Sequence, residues 1–303
     1  MTALKKSDLS ALAASIRERD RRLYYAALAV APPARDAWWA VLAFRRALRD
    51  AVLGDSKGSV DDLRERVDRA FGRRPGAAPL DRAVAWLAEA HDAPRACFDA
   101  QLDAATWDLD GRRYHTAETL VGYAVRAAGS VAVLGAVAMG RRRAAFVERA
   151  IELGVAFELT RVARDVLADG ARGKLYLPIE WLEEAGVDVD RFLEQPRAST
   201  ALADVTSRVA SAAERFYLRA EGGLADVPHL YRPIVRAARW LGAAELRDLA
   251  DAGFDPSRAT GTTPLRAAAI TLRALRAGSR EAQPAPKPAS SAEARWLVDA
   301  VAR

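Results

Sequence analysis

Between its turn-rich stretches the chain repeats one pattern, apolar residues three and four apart on a background of alanine, leucine, arginine and glutamate. Runs of β-branched residues, which a sheet would favour, are scarce. The breaks fall at Gly54 to Ser59, Gly72 to Pro79, Asp110 to Arg113 and Pro256 to Pro264, where residues that punctuate helices cluster. No repeat of fixed period stands out. The pattern predicts a single all-α domain.

That domain is expected over 1–278, followed by a Pro/Ala/Ser linker over 279–290 and a short amphipathic helix over 291–303 with Trp296, Leu297, Val298 and Val301. The segment carries little basic charge, so docking onto the domain is its first reading and peripheral membrane contact its second. The longest apolar run, "AAGSVAVLGAVAMG" (127–140), falls short of the roughly 20 residues that span a bilayer and predicts a buried core helix instead of an anchor. The start of the chain lacks the apolar core of a signal peptide. The lone Cys97 excludes an internal disulfide framework and any multi-cysteine metal site, and a cytoplasmic setting is expected. A net charge of +6 favours anionic partners. The arginines are spread among nearly as many acids, however, which speaks against nucleic acid. His91, His115 and His229 have no metal-ligand spacing.

The stretch "RVARDVLADGARGKLYLP" (161–178) sets Asp165 and Asp169 four apart on one helical face. Two like charges so placed repel by a few tenths of a kcal/mol unless something positive compensates. Arg161, four residues before Asp165, offers an ordinary ion pair. The functional alternative is Mg²⁺, which takes one or two carboxylates and completes its shell with water and phosphate oxygens. Arg172 and Lys174, just past the helix, are then placed to grip the same phosphate.

Asp165 to Pro178 resembles the second aspartate-rich motif of the squalene/phytoene synthase family, usually R-D-V-x-E-D, a short turn and R-x-Y-L-P. "LYYAALAVAPPARDAWWAVLAFRRALRD" (23–50) is similar to the lead into that family's first motif, and "WDLDGRRYHTAETLVGYAVRAAGSVAVL" (107–134) to its middle segment. "RFYLRAEGGLADVPHLYRPIVRAARW" with the following "AGFDP" resembles its C-terminal region. The ordered set covers roughly residues 20–260. The resemblance implies an all-helical isoprenoid-synthase fold with a central cavity, in which facing helices carry aspartates and Mg²⁺ links them to a prenyl diphosphate. Metal ions would stabilise the departing diphosphate, and an aromatic, dry cavity would shield the carbocation. Phe44, Tyr123 and Phe157 are the expected liners, with ordinary core packing as the alternative for each.

Where the family has D-D-x-x-D, this chain has Arg49, Asp50, Ala51, Val52 and Leu53, leaving Asp50 alone as a metal candidate on that helix. Arg46 and Arg49, with Arg21 near the start, are candidate diphosphate ligands, since a guanidinium fork can hold phosphate oxygens directly. The family's usual Gln, Asn and Glu in the second motif correspond to Glu158, Arg161 and Ala168, and its C-terminal tyrosine to Gly242. Glu158, nearly on the face of Asp165, is a candidate general base beside the catalytic pair Asp165 and Asp169. The lopsided acids favour transfer from one allylic prenyl diphosphate to a small-molecule acceptor without a diphosphate, such as an aromatic ring. Head-to-head joining of two prenyl diphosphates is the alternative, and a non-catalytic binding or assembly role a third reading.

Overall fold

The computed structural model describes residues 4–19, 24, 27–28, 32–54, 58–277 and 292–302. Those residues form α-helices and no strand: α1 (Lys6–Arg19), α2 (Pro32–Leu53), α3 (Val60–Phe71), α4 (Pro79–Ala90), α5 (Arg95–Leu109) and α6 (Ala117–Ala124). A π-helical turn, Val125–Gly129, joins α6 to α7 (Ser130–Ala138). Then come α8 (Ala144–Gly170), α9 (Ile179–Glu184), α10 (Val189–Glu194), α11 (Thr200–Glu221), a 3₁₀ turn at Leu224–Asp226, α12 (Arg232–Asp251), α13 (Pro264–Arg276) and α14 (Ala292–Val301). The four turn-rich stretches fall between α2 and α3, α3 and α4, α5 and α6, and α12 and α13, where the change of residue type ends each helix. Ser59 caps α3 and Thr116 caps α6, each in a reciprocal capping box.

The 27 residues of α8 make a rod about 40 Å long at 1.5 Å per residue, and the bundle is built around it. It packs most extensively on α11 and also meets the π turn, α7, α12 and α14. Gly154 makes the crossing with the π turn possible: a Cβ there would lie 2.4 Å from the Ala128 carbonyl oxygen and 2.7 Å from the Gly129 Cα. Backbone therefore meets backbone where any larger residue would force the helices apart.

Ala117–Ala138 forms one 22-residue helix of mean hydropathy 1.7, long and apolar enough to cross a membrane by length and composition. Most of it, 78%, is buried inside the bundle, as the core-helix reading of 127–140 expected. The linker expected at 279–290 lies outside the described residues. Leu297, Val298 and Val301 of α14 are buried, and Trp296 faces the Arg126 guanidinium at 5.1 Å, which also lies 4.7 Å from the Trp107 ring.

Candidate active site

An open cavity of about 110 Å³ lies between α2, α5, the π turn and α8. Arg45, Leu48, Arg49, Val52 and Leu53 line it from α2, while Gln101, Ala104, Ala105 and Asp108 come from α5. Tyr123 and Ala127 close another side, α8 contributes Glu158, Arg161 and Asp169, and the segment after α8 brings Arg172, Lys174 and Tyr176. Five cationic side chains thus face three carboxylates.

Arg161 organises the α8 side. Its Nε donates to Glu158 Oε1 at 2.6 Å and its Nη1 to Asp169 Oδ2 at 2.7 Å, two turns further along. The guanidinium lies 4.5 Å from the centre of the Tyr176 ring. Its Nη2 is buried and has no hydrogen-bond partner, so one donor remains unspent at the cavity wall. Glu158 is only 2% exposed and also accepts from Arg45 Nη2 at 3.2 Å, across the cavity. Burial pushes its carboxyl up, but Arg161 and Arg45 outweigh that and hold it below the usual carboxylate range. The Arg45 Nη1 donates to the Ala127 carbonyl of the π turn at 3.4 Å.

Asp165 is held differently. Arg164 clasps it with both arms of its fork, Nε to Oδ1 at 2.7 Å and Nη2 to Oδ2 at 2.8 Å, and reaches Glu245 on α12 at 2.7 Å. Burial raises the Asp165 pKa, and the Arg164 fork more than reverses that. The Arg161 to Asp165 pair expected from spacing does not form: Arg161 bonds Glu158 and Asp169, and Arg164 takes both oxygens of Asp165.

On the cavity floor Asp108 accepts from Tyr176 Oη at 2.7 Å and Tyr123 Oη at 3.1 Å. Tyr114 completes a cluster of three rings with centroids 5.2 to 6.2 Å apart. Burial raises the pKa of Asp108 and of all three phenols. Tyr176 reaches this place because Ile179 and Glu180 donate their amides to the carbonyls of Tyr114 and His115 at 2.9 and 3.1 Å. The Tyr-Leu-Pro segment is thereby stitched to the α5–α6 connection.

Of the residues singled out from sequence, Asp169, Glu158, Arg49, Arg172, Lys174 and Tyr123 line the cavity. Others do not. Asp50 is paired with Arg46, four residues before it, and neither lines the cavity, because each stands about 100° around α2 from Arg45 and Arg49. Phe44, next to Arg45, is rotated away by the same step and packs edge-on against Phe98 with centroids 5.1 Å apart. Phe157, beside Glu158, packs edge-on against Tyr217. Asp165 is taken by Arg164, and Arg21 lies outside the described residues. The residues that spacing did not single out are Asp108, Tyr114, Tyr176, Gln101 and Arg164. At Gly242 a Cβ would lie 1.9 Å from Tyr217 Oη, so Tyr217, buried and hydrogen-bonded to Thr160, fills the space a side chain at 242 would need.

Among the described residues no group of three or more His, Cys, Asp or Glu is placed to hold a metal ion. Mg²⁺ needs only one or two carboxylates beside water and phosphate oxygens, and Asp165 and Asp169 supply that number from one face of α8. Nothing matches them from α2, which presents Arg45 and Arg49 to the cavity. Both carboxylates are already held by arginines, Asp165 by the Arg164 fork outside the cavity lining and Asp169 by Arg161 and Arg172, so an ion held from α8 would have to displace those pairs, and the lining does not fit one bridging α8 to α2.

The squalene/phytoene synthase family model matches residues 16–274. A phytoene synthase of Cereibacter sphaeroides is 34% identical, covering 99% of this chain and 89% of that protein. One from Rhodobacter capsulatus is 35% identical over 77% of this chain and 70% of its own length. Among solved structures, a dehydrosqualene synthase superposes with a TM-score of 0.81 at 21% identity, covering 89% of this chain and 95% of the other. The squalene synthase HpnC of Alicyclobacillus acidocaldarius gives 0.74 at 21% identity, covering 82% and 95%. The all-α isoprenoid-synthase fold is thereby established. The same relatives overturn the expectation of an aromatic acceptor: full-length likeness runs to phytoene synthases, and the eroded acids of α2, which prompted that expectation, are outweighed by it. The non-catalytic reading falls with it. This chain belongs to the squalene/phytoene synthase family, prenyltransferases that release diphosphate.

Proposed function

We propose that the protein joins two allylic prenyl diphosphates head to head to give a long isoprenoid hydrocarbon, as phytoene synthases do. The observation that carries the reading is the 34% identity to a phytoene synthase across 99% of the chain. The cavity chemistry supports it. Arg49, Arg172 and Lys174 offer charge to a diphosphate at the mouth. The Tyr123 ring offers negative π density to a carbocation, while Asp108 fixes the hydroxyls of Tyr123 and Tyr176. Glu158 is assigned to positioning: with Arg161 and Arg45 on its oxygens it is a poor base and a good anchor. Asp165 and Asp169 are the residues that would hold Mg²⁺. When bound, the ion would neutralise charge on the departing diphosphate. The cytoplasmic setting expected from the sequence belongs to the same reading.

The test is incubation of purified protein with farnesyl or geranylgeranyl diphosphate and Mg²⁺. A C30 or C40 hydrocarbon with stoichiometric diphosphate release is the expected result, and release of diphosphate with only a prenyl alcohol would refute head-to-head joining.

A further inference from the structure

The helix α13 is turned inside out. Its buried residues are the small Ala267, Thr271 and Ala274, and with these it packs on α12. The large side chains point elsewhere: Leu265 is 83% exposed, Leu272 46% and Leu275 45%. At 100° per residue the three leucines fall within about 80° of one another, a stripe along one side of the helix. Single exposed leucines are ordinary on a protein surface, but an aligned row of them marks a place where something binds. The same helix carries Arg266, Arg273 and Arg276 and no acid. Arg266 is paired with Asp248, whereas Arg273, Arg276 and the exposed Arg247 of α12 make no ion pair among the described residues. Arg247 and Arg273 line one open hollow with Trp240, and the Arg273 guanidinium lies 5.1 Å from the Trp240 ring.

We propose that α13 lays this leucine stripe into an anionic lipid surface, with Arg247, Arg273 and Arg276 on the headgroups. The helix α14, whose sequence allowed membrane contact, is not the one that makes it, because its Leu297, Val298 and Val301 are buried against the bundle. A helix with apolar residues on one side and cations beside them lies in the plane of the interface, its apolar side sunk among the acyl chains. Arginine suits the flank, since its stem stays with the leucines while the guanidinium reaches headgroup level, and Trp240 is of the residue type that gathers at that level. Charge selects the lipid over a second copy of this chain. Two α13 helices face to face would bring unpaired arginines together, whereas an anionic leaflet supplies the opposite charge. The docking requires nothing of the cavity, and on the head-to-head reading it would set the bilayer beside a product that water does not dissolve.

The test sediments the full-length protein with phosphatidylglycerol vesicles and, separately, with phosphatidylcholine vesicles, at low and at high salt. Binding to the anionic vesicles should exceed binding to the zwitterionic ones by about tenfold or more and fall with salt, since each basic residue at an anionic leaflet contributes roughly fivefold. Arg273→Gln with Arg276→Gln should remove about tenfold or more of the phosphatidylglycerol affinity and leave the weak phosphatidylcholine binding as it was. Leu272→Gln with Leu275→Gln should weaken binding to both vesicle types by about tenfold or more, because the apolar area is what enters the bilayer. All four side chains are exposed, so both double variants should keep the melting temperature of the unaltered protein. Sedimentation that is absent, equal on the two lipids, or indifferent to both double variants would overturn the proposal. So would a dimer in solution that Leu272→Gln with Leu275→Gln splits into monomers, since the stripe would then belong to a second copy. Hydrocarbon formation plays no part in any of these readings, so failure of the head-to-head activity and failure of the docking are told apart.

Discussion

The two helices that face each other across the cavity, α2 and α8, have parted ways. On α8 Asp165 and Asp169 remain, although the motif's usual Glu is Ala168, and each is clasped by an arginine of the same helix. On α2 the cavity-facing positions are Arg45 and Arg49, and the one remaining acid, Asp50, is rotated off the cavity and paired with Arg46. The contrast is one of charge: the α8 wall presents paired acids and the α2 wall presents arginines. Charge can be delivered by guanidinium groups built into the wall, which cannot lose their proton at any working pH. The cost falls on the interior, where each arginine must be paired in the empty protein.

The largest effect should come from the residue that ties the walls together. Glu158→Ala leaves Arg161 and Arg45 facing an empty place, and breaking a buried pair from one side costs about 3–5 kcal/mol. For a domain of this size that lowers the melting temperature by on the order of 10 °C. Asp50→Ala on α2, whose pair with Arg46 is partly exposed, should cost only about 1 kcal/mol. Thermal unfolding of the two variants side by side reads the contrast directly, and equal losses would abolish it.

The next comparison is in turnover. Asp169→Asn removes one of the two α8 carboxylates that line the cavity and should lower kcat by about 10²- to 10³-fold, the scale of losing one group that stabilises developing charge. Asp50→Asn should change kcat by less than about threefold, because its carboxylate does not line the cavity. Comparable losses would mean that α2 still supplies a metal ligand. The reverse experiment sharpens the point: Arg49→Asp with Leu53→Asp restores acids at both eroded positions of α2. It should increase the gain in turnover from added Mg²⁺, because α2 would again offer carboxylates to the ion.

Much of this architecture was legible in the sequence because periodicity and turn chemistry are local. The core helix at 127–140, the four breaks and the Asp165 to Pro178 stretch needed only near neighbours. What stayed hidden is tertiary. Asp108, Tyr114, Tyr123 and Tyr176 lie on segments up to 68 residues apart and form one cluster only after Tyr-Leu-Pro is stitched to the α5–α6 connection. Arg164 and Asp165 are adjacent, and adjacent residues do not face each other on a helix. Arg164 clasps its neighbour because it also reaches Glu245 on α12, a partner that helical spacing cannot supply. Phe44 and Phe157 failed as liners for a simpler reason. Each stands one residue, about 100°, from a true lining position.

The smallest predicted effect concerns that clasp. Arg164 holds Asp165 below its usual pKa despite burial, so the ionised form is favoured in the folded state. The sign follows: the clasp stabilises fully above the unfolded aspartate value of about 3.9 and loses its contribution as the pH falls through the lower, folded value. Asp108 runs the other way, since burial raises its pKa, and its ionisation on going up in pH works against folding. Asp165→Asn removes the first contribution and leaves the second. Its melting temperature should lie a few degrees below that of the unaltered protein at neutral pH, corresponding to about 1–2 kcal/mol for hydrogen bonds to a charged group. The gap should stay constant from pH 7 to about pH 5 and close on further acidification toward pH 3, as the unaltered protein loses the charge that the variant never had. A gap independent of pH over that range would mean that the Arg164 fork holds Asp165 by packing alone.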